Sequence, residues 1–305
     1  MNNFSSLAVI GSGPSAIYLL KYLLGYVRVF RPWLTDIHVF EKSSEMGTGM
    51  PYSRSTTDKY NMCNISSAEI PELSNSLVDW LHSLTDEELK AEGIERNEIG
   101  EDEIYRRTTL GDYFRNQYSL IIDGLRKTGL TIHQHADCLV TDLVDAQPEG
   151  EVRILCATGT IAVDRAVIAT GHAFNEPDEP NSGYYASPWP IQKLIPVDGQ
   201  YYNFEIGTLG SSLSAFDVVA SLSHRHGKFS NDDGKLTFEP AAGTQDLRHC
   251  VSSRDWHSPL LVWIASDVTA AIVVSSWLQR TRGQENEPSS DVETVTEVYE
   301  DLVNA

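Results

Sequence analysis

The sequence has few of the features that mark a membrane protein, a secreted protein or a metalloprotein. It contains no run of about 18 apolar residues, so we expect no transmembrane helix. It opens without the basic segment of a secretory signal peptide. Only four cysteines occur, and none forms a CxxC pair, so the pattern signals neither a zinc site nor a redox dithiol. Buried, reduced thiols in the cytoplasm are the interpretation we prefer.

Positive charge is also scarce. The chain has 23 Lys and Arg against 43 Asp and Glu, which gives a formal net charge of −20. Such an acidic chain repels nucleic acid and anionic membrane surfaces, so we expect neither as a partner. Hydrophobic residues make up 41% of the 305 positions, enough for an ordinary packed core.

The first informative motif is a glycine-rich turn inside a predicted βαβ unit. Apolar runs predict strands over 6–10 and 37–41, and a helical pattern covers 15–30 between them. The turn that joins the first strand to the helix meets the GxGxxA form of the dinucleotide fingerprint and comprises Gly11, Ser12, Gly13, Pro14, Ser15 and Ala16.

Each small residue of this turn has a predicted role. Gly11 permits the tight turn, Gly13 lets a diphosphate approach the backbone, and Ala16 keeps the helix close to the sheet. The diphosphate would then lie at the helix N-terminus, which favours anions. Glu41, which ends the second strand, is predicted to accept hydrogen bonds from ribose hydroxyls, with Lys42 beside it. The alternative is a tight structural turn next to a surface glutamate.

The chain that follows alternates helical and strand patterns. A helix over 110–127 precedes a third parallel strand over 130–135, while two polar stretches, 86–103 and 229–246, predict surface excursions. Short alternating runs then predict an antiparallel meander, and one further apolar strand follows it: 138–144, 152–158, 160–164 and 166–169.

A second strand–turn–helix pattern runs over 202–224. Its turn contains Gly210, Ser211 and Ser212, with Ser212 at the second glycine position. A side chain there restricts a diphosphate, although serine hydroxyls are able to donate to phosphate. Arg254 ends the next predicted strand, where it is placed to pair with a 2′-phosphate and so to select NADPH over NADH. Its alternative is an ordinary surface arginine.

Taken in order, these motifs resemble the YdhS-like FAD/NAD(P)-binding proteins of bacteria, flavoproteins of the glutathione-reductase-like fold. The matching segments include VIGSGPSAIYLL, VFEKSSEMGTGMPYS, NMCNISSAEIP, VIATGHAF and GTLGSSLSAFDVVASL. The resemblance implies FAD at the first turn, NADPH or NADH at the second, and a small-molecule substrate. It leaves open whether the chain forms a homo-oligomer.

The resemblance also implies further cofactor contacts, each with plain loop structure as its alternative. Gly49 and Met50 would run beside the flavin diphosphate and ribityl chain, because glycine suits close backbone approach. Asn64 would lie near the isoalloxazine edge.

Two more parts of the cofactor site come from the same analogy. Val140, at the start of the meander, resembles the position whose backbone meets adenine. Thr170, Gly171 and His172 resemble the element that closes the first domain onto the cofactor.

The resulting prediction is an α/β fold, with a Rossmann-like FAD-binding domain that has a parallel sheet and a β-meander, and a partial second nucleotide-binding βα unit. We assign 1–200 to the FAD-binding domain, 201–265 to a partial NAD(P)-binding-like domain and 266–305 to a divergent acidic tail. The resemblance fades after Arg254, short of the final strand that the family returns to its first domain. We therefore expect an uncovered sheet edge.

The function we predict is an FAD-dependent oxidoreductase reduced by NAD(P)H, with monooxygenase chemistry as one form of it. No dedicated catalytic base is evident, which is common where a flavin carries the electrons. One alternative is a non-catalytic or degenerate FAD- or nucleotide-binding protein. A remote alternative is a serine hydrolase with Ser212 as nucleophile, whose partners Asp255 and His257 lie unusually close in sequence.

Overall fold

The computed structural model describes residues 4–146, 150–172, 176–210, 212–232, 235–252 and 260–262. The chain divides into two units, one formed by 1–59 and 65–187 and the other by 60–64 and 188–305. The predicted domain boundaries stay predictions, and the predicted tail over 266–305 lies outside the described residues, as do Ser211 and Arg254.

A four-stranded parallel sheet organises the first unit. Its strands occur in the order β3-β2-β1-β7. The two central strands carry fully buried apolar side chains such as Val9 and Val39, which pair in register, as expected for a sheet covered on both faces. The strand bounds are β1 Ser6–Ile10, β2 Asp36–Phe40, β3 Thr131–His135 and β7 Arg165–Ile168.

The helices of the first unit follow the sequence patterns with three differences. The helix predicted over 110–127 begins three residues earlier, at Arg107. The predicted helix over 15–30 is two helices that meet at Tyr26. The charged stretch 86–103 contains a helix, because Thr85 and Glu88 form a capping box and Leu89 is buried. The bounds are α1 Pro14–Gly25, α2 Val27–Phe30, α3 Leu77–Ser83, α4 Asp86–Glu92 and α5 Arg107–Lys127.

The predicted meander is present and packs on the parallel sheet. It is an antiparallel sheet of β4 Val140–Ala146, β5 Glu151–Cys156 and β6 Gly159–Val163. Ile154 and Val163 of the meander share one buried cluster with Ala8, Ile10 and Phe40 of the parallel sheet. Burial of this cluster fixes the meander close to the carboxyl ends of β1 and β2.

The second unit has a short sheet in the order β12-β11-β8, in which β8 and β11 are parallel. The predicted excursion over 229–246 contains a hairpin, in which Phe229 and Phe238 pair with ring centroids 4.8 Å apart. The bounds are β8 Glu205–Leu209, α6 Leu213–His226, β9 Gly227–Asp232, β10 Lys235–Pro240, β11 Arg248–Ser252 and β12 Leu260–Val262.

Within the described part of the chain, β7 and β8 each form an edge of their sheet. Ile168 on β7 is 67% exposed and Leu209 on β8 is 80% exposed. No described helix is both long enough and apolar enough to cross a membrane.

Three histidine rings stack on one face of the parallel sheet. His38 on β2 lies between His133 and His135 of β3, with ring centroids 4.3 Å and 5.4 Å away. His38 Nδ1 is 3.1 Å from His135 Nε2, and His133 Nε2 is 3.0 Å from Asp36 Oδ1. Burial, together with the two neighbouring imidazoles, lowers the pKa of His38 to about 4.

This shift makes the stability depend on pH in a defined direction. The unfolded chain takes up a proton at His38 near pH 6.5, whereas the folded protein keeps the ring neutral until about pH 4. The free energy of unfolding is therefore not reduced by His38 above about pH 6.5, where the ring is neutral in both states. It falls as the pH drops from 6.5 towards 4, because only the unfolded chain then takes up the proton. We expect His38→Asn to flatten the decline of Tm over this range, as measured by calorimetry. His82 is exposed, so His82→Asn should leave the slope of Tm against pH as it is in the wild type. Equal slopes for the wild type and both variants would show that His38 is not the cause of the decline.

Candidate functional site

The first glycine turn connects the carboxyl end of β1 to α1 in a conformation that demands glycine. Gly11 has φ of 100°, and its N–H donates to Phe40 O at 2.8 Å. A Cβ on Gly11 would lie 2.4 Å from Ala169 O and 3.3 Å from Thr170 Cα. The backbone at Thr170, one of the predicted closing residues, is therefore packed directly against the turn.

Ser12 joins the turn to two other segments. Its hydroxyl donates to Glu41 Oε2 at 2.8 Å and accepts from the Gly47 N–H at 3.0 Å, while its own N–H donates to Glu41 Oε2 at 3.1 Å. Ser12 is 0% exposed. Glu41 consequently points towards the bend, as a ribose-binding carboxylate at this position must.

The other carboxylate oxygen of Glu41 is held less firmly. Oε1 accepts from the N–H and hydroxyl of Ser43 at 3.1 Å and 3.2 Å. That hydroxyl has an alternative acceptor, Glu45 O, at 3.0 Å. A ribose hydroxyl is therefore able to take the place of the Ser43 hydroxyl at Glu41, because the Ser43 hydroxyl keeps Glu45 O as its acceptor.

The predicted loop that contains Gly49 and Met50 lies against the turn. Gly13 faces Gly49 so closely that a Cβ on Gly13 would be 3.3 Å from Gly49 Cα, and a Cβ on Gly49 would be 2.9 Å from Pro14 Cδ. Gly49 has φ of 80° and is followed by a single turn of 3₁₀ helix over Met50–Tyr52. The structure thus gives Gly13 a second role, the close approach of this loop.

The start of α1 fits a diphosphate group. Gly13 is the N-cap and Pro14 the first helical residue, and among the described residues no side chain caps this end. By contrast, Ser76 caps α3 and Thr85 caps α4. The amide groups of the first turn of α1 are therefore available to an anion, and the buried Ala16 holds the helix on the sheet.

The remaining predicted contacts of the first site occupy different places. Lys42, Gly171 and His172 are exposed, and Gly171 has φ of 71°. Val140 begins β4 and pairs with Cys156 of β5. Asn64 is exposed and belongs to the segment 60–64 of the second unit. Their roles in cofactor binding stay predictions.

The second turn repeats the backbone pattern of the first with fewer supporting contacts. Gly210 has φ of 107°, and Ser212 is the N-cap of α6, where no described side chain caps the helix. A Cβ on Gly210 would meet nothing described within 4 Å, in contrast to Gly11. Ser211, Arg254 and the proposed hydrolase partners Asp255 and His257 lie outside the described residues.

Sequence reasoning missed the role of two residues in the site, Ser12 and Gly47. Ser12 was predicted only as part of the turn, yet its hydroxyl bridges Glu41 and Gly47. Gly47 has φ of 83°, and a Cβ there would lie 2.6 Å from Tyr118 Cβ on α5. The repeated glycines of the Gly47-Thr48-Gly49 segment were the available signal.

Ser12→Ala should test the bridging role. The change leaves a buried N–H of Gly47 without its acceptor, so we expect the free energy of unfolding to fall by about 1–3 kcal/mol. Urea denaturation measures this. Ser15→Ala, an exposed serine of the same turn, should change the stability by less than about 0.5 kcal/mol. Equal effects of the two changes would show that the hydroxyl of Ser12 bridges nothing of consequence.

Comparison with known proteins agrees with this geometry. A family model described as FAD-NAD(P)-binding matches residues 8–173. The protein YdhS of Escherichia coli (strain K12) is 32% identical over 231 residues, which cover 74% of this chain and 41% of that protein. The chain therefore spans about two fifths of the length of this relative. The predicted resemblance is confirmed.

Solved structures with similarity to the chain include monooxygenases. A cyclohexanone-bound cyclohexanone monooxygenase has a TM-score of 0.44 at 16% identity and covers 73% of this chain and 37% of its own. Cyclohexanone monooxygenase from Rhodococcus sp. Phi1, bound to NADP+, has a TM-score of 0.41 at 16% identity, with 73% and 36% covered. The predicted α/β fold and the predicted cofactors, FAD and NADPH or NADH, agree with the family description.

Proposed function

The chain belongs to the FAD-NAD(P)-binding family, and on that premise we propose that it is an FAD-dependent oxidoreductase reduced by NADPH or NADH. The observation that carries the proposal is the first glycine turn. It combines an uncapped helix N-terminus with a carboxylate, Glu41, that is anchored at the same bend. These two features suit the diphosphate and the adenosine ribose of FAD respectively.

Within this proposal the residues of the turn bind and orient. The first-turn amides of Ser15 and Ala16 donate to the diphosphate, and Glu41 accepts from the ribose hydroxyls. Ser12 holds Glu41 and Gly47 in fixed positions, which keeps the loop of Gly49 and Met50 along the cofactor. When bound, FAD supplies the acceptor for a hydride, so the protein needs no acid–base residue for that chemistry.

The second turn is the proposed site for the nicotinamide cofactor. The start of α6 has no acidic residue in its first turn, which suits an anionic diphosphate there. Ser212 narrows the approach but has a hydroxyl to donate to phosphate. Arg254 is the proposed partner of a 2′-phosphate, in which case NADPH binds more tightly than NADH.

The finer proposal is a monooxygenase that acts on a small organic molecule. It is supported by the family resemblance and by the composition, since the acidic chain is unsuited to nucleic acid or an anionic membrane. A cytoplasmic location is proposed on the four free thiols. NADPH-dependent transfer of one oxygen atom from O2 to an organic product, followed with isotopically labelled O2, would separate a monooxygenase from other flavin-dependent oxidoreductases.

Anaerobic stopped-flow mixing of the FAD-loaded chain with NADPH tests the enzyme proposal. We expect the visible flavin absorbance to bleach, and to bleach more slowly in Ser212→Val, which removes the hydroxyl. FAD affinity should be the same in both proteins, because Ser212 is not part of the first site. Retained flavin absorbance at saturating NADPH and NADH would overturn the proposal.

A non-catalytic FAD-binding protein is the second candidate. The observation that favours it is the second turn, where serine stands in place of the second glycine and the preceding Leu209 is 80% exposed. Under this reading FAD binds at the first turn but neither nicotinamide cofactor reduces it. The same stopped-flow measurement decides between the two candidates.

A further inference from the structure

Two cysteines that are 18 residues apart in sequence come together at one end of the meander. Cys138 lies two residues before Val140, and Val140 is the register partner of Cys156 at the end of β5. Both thiols contact one hydroxyl: Thr158 Oγ1 is 3.2 Å from Cys156 Sγ and 3.9 Å from Cys138 Sγ. The two thiols are also close enough that each shifts the pKa of the other.

The two cysteines differ in exposure. Cys138 is 6% exposed and belongs to the buried cluster that joins the meander to the parallel sheet. Cys156 is half-buried and adjoins the turn between β5 and β6, where Thr158 and Gly159 are exposed. A reagent dissolved in water therefore reaches Cys156 before it reaches Cys138.

Their acidity differs in the same sense. The hydrogen bond with Thr158, and then the interaction with the Cys138 thiol, lower the pKa of Cys156, while burial opposes the shift. The Cys156 thiol also contacts Gly159 O at 3.3 Å, as a donor. Burial raises the pKa of Cys138. Because the thiolate is the reactive form, Cys156 is the stronger nucleophile of the pair at neutral pH.

We propose that Cys138 and Cys156 form a reversible regulatory disulfide, with Cys156 as the thiol that reacts first with a hydroperoxide and Cys138 as the thiol that resolves the product. The Cys156 thiolate attacks one peroxide oxygen, the O–O bond breaks, and the released hydroxide takes up a proton to become water. Cys156 is then a sulfenic acid. The Cys138 sulfur attacks the Cys156 sulfur, the S–O bond breaks, and the hydroxide leaves as water with the Cys138 proton. Two electrons pass from the thiols to one hydrogen peroxide.

The other two cysteines differ from this pair in their surroundings. Cys63 is buried and belongs to the second unit. Cys250 is half-buried, but its thiol donates to Glu205 Oε1 at 3.2 Å. Burial and that carboxylate raise the pKa of Cys250, so its thiolate fraction is small. Cys250 is accordingly a matched control for exposure without activation.

Backbone hydrogen bonds connect the proposed disulfide with the proposed FAD site. The Cys138 N–H donates to Glu41 O at 2.8 Å, and the neighbouring Asp137 N–H donates to Ser43 O at 3.0 Å. A disulfide would tie this crossing between β3 and β4 to the turn between β5 and β6. The sequence did not predict this pair of thiols, because the two cysteines do not form a CxxC motif. Antiparallel strand pairing brings them together.

Peptide mapping after treatment with hydrogen peroxide tests the proposal on the full chain. After alkylation of the remaining thiols, we expect a linked peptide pair that contains Cys138 and Cys156, with the mass of two hydrogen atoms missing. Dithiothreitol should reverse the link. No such pair, or a pair that involves Cys63 or Cys250, would overturn the proposal, and this outcome requires no mutant to fold.

Substitutions then assign the order of reaction. Cys138→Ser should leave a sulfenic acid on Cys156 that dimedone traps, Cys156→Ser should leave Cys138 reduced, and Cys250→Ser should form the link as the wild type does. Thr158→Val should shift the pH profile of Cys156 alkylation to higher pH, because the hydroxyl that stabilises the thiolate is gone. If Cys250 is alkylated faster than Cys156 in the wild type, the proposed activation is wrong.

Discussion

Gly13→Ala is expected to weaken FAD binding by about two orders of magnitude, which corresponds to roughly 2.7 kcal/mol, while the chain stays folded. At this position φ is −70°, which alanine adopts without strain. Its Cβ would lie 3.3 Å from Gly49 Cα, so the backbone at Gly49 must move by a few tenths of an ångström, and this displacement of the Gly49 loop adds to the loss of affinity. The same methyl group would occupy the surface over which the diphosphate must approach the backbone. Equilibrium titration of flavin fluorescence measures the affinity.

Two comparisons make this result interpretable. Gly25→Ala places the same methyl group at the other end of α1, where a Cβ meets nothing described within 4 Å, so FAD affinity should not change. Gly11→Ala is unsuitable, because a Cβ 2.4 Å from Ala169 O and φ of 100° would damage the fold itself. If Gly13→Ala binds FAD as tightly as Gly25→Ala, the diphosphate does not lie on this turn.

Gly111→Ala is expected to destabilise the protein by about 2–3 kcal/mol. This is the opposite of the usual effect, since alanine in a helix interior is normally more stable than glycine by about 1 kcal/mol. Gly111 is buried in α5, and a Cβ there would lie 2.3 Å from Tyr52 O and 3.1 Å from Thr48 Cγ2. A backbone carbonyl cannot rotate away as a side chain does. The segment that carries Gly49 would therefore be displaced from α5, and FAD affinity should fall with stability. Urea denaturation and flavin titration measure the two effects.

Gly124→Ala is the matched control in the same helix. Its Cβ would approach Leu24 Cδ2 at 2.8 Å, the end of a flexible side chain. We expect a stability change within about 1 kcal/mol of zero, since helix propensity offsets the small rearrangement. A loss at Gly124 as large as that at Gly111 would mean that the contact with Tyr52 is not the cause.

The βαβ unit was predictable because each of its signals is local. Buried parallel strands appear as continuous apolar runs, and a turn that needs positive φ contains glycine. Strand β1 matches its predicted bounds, 6–10. Strand β2 starts and ends one residue earlier than predicted, so Glu41 follows the strand and does not end it. The meander was also evident, because short runs that alternate apolar and polar residues are typical of antiparallel strands.

Helix α4 and the hairpin of β9 and β10 were not predicted, because their sequences are mostly polar. The charge of 86–103 obscured α4, although Thr85 and Glu88 form its capping box and only Leu89 anchors it. The hairpin of β9 and β10 has few apolar residues apart from Phe229 and Phe238. Helix α4 is held by one buried side chain, and the hairpin by one pair of half-buried rings.

The residue types of the candidate site were predictable, but the hydrogen bonds and contacts between residues distant in sequence were not. The fingerprint identified Gly11, Gly13 and Glu41, because their spacing follows from one strand, one helix and the next strand. The bridge from Ser12 to Gly47 spans 35 residues, and the contact between Cys138 and Cys156 depends on strand register. Such contacts are fixed by tertiary packing, which no local pattern encodes.

FAD binding at the first glycine turn is tested most directly by the absorption spectrum of the purified chain after incubation with FAD and removal of free cofactor by gel filtration. Binding at the first glycine turn predicts that visible flavin absorbance elutes with the protein at one FAD per chain, and that Gly13→Ala loses it while Gly25→Ala retains it. A folded wild-type chain that elutes without flavin absorbance would contradict the account.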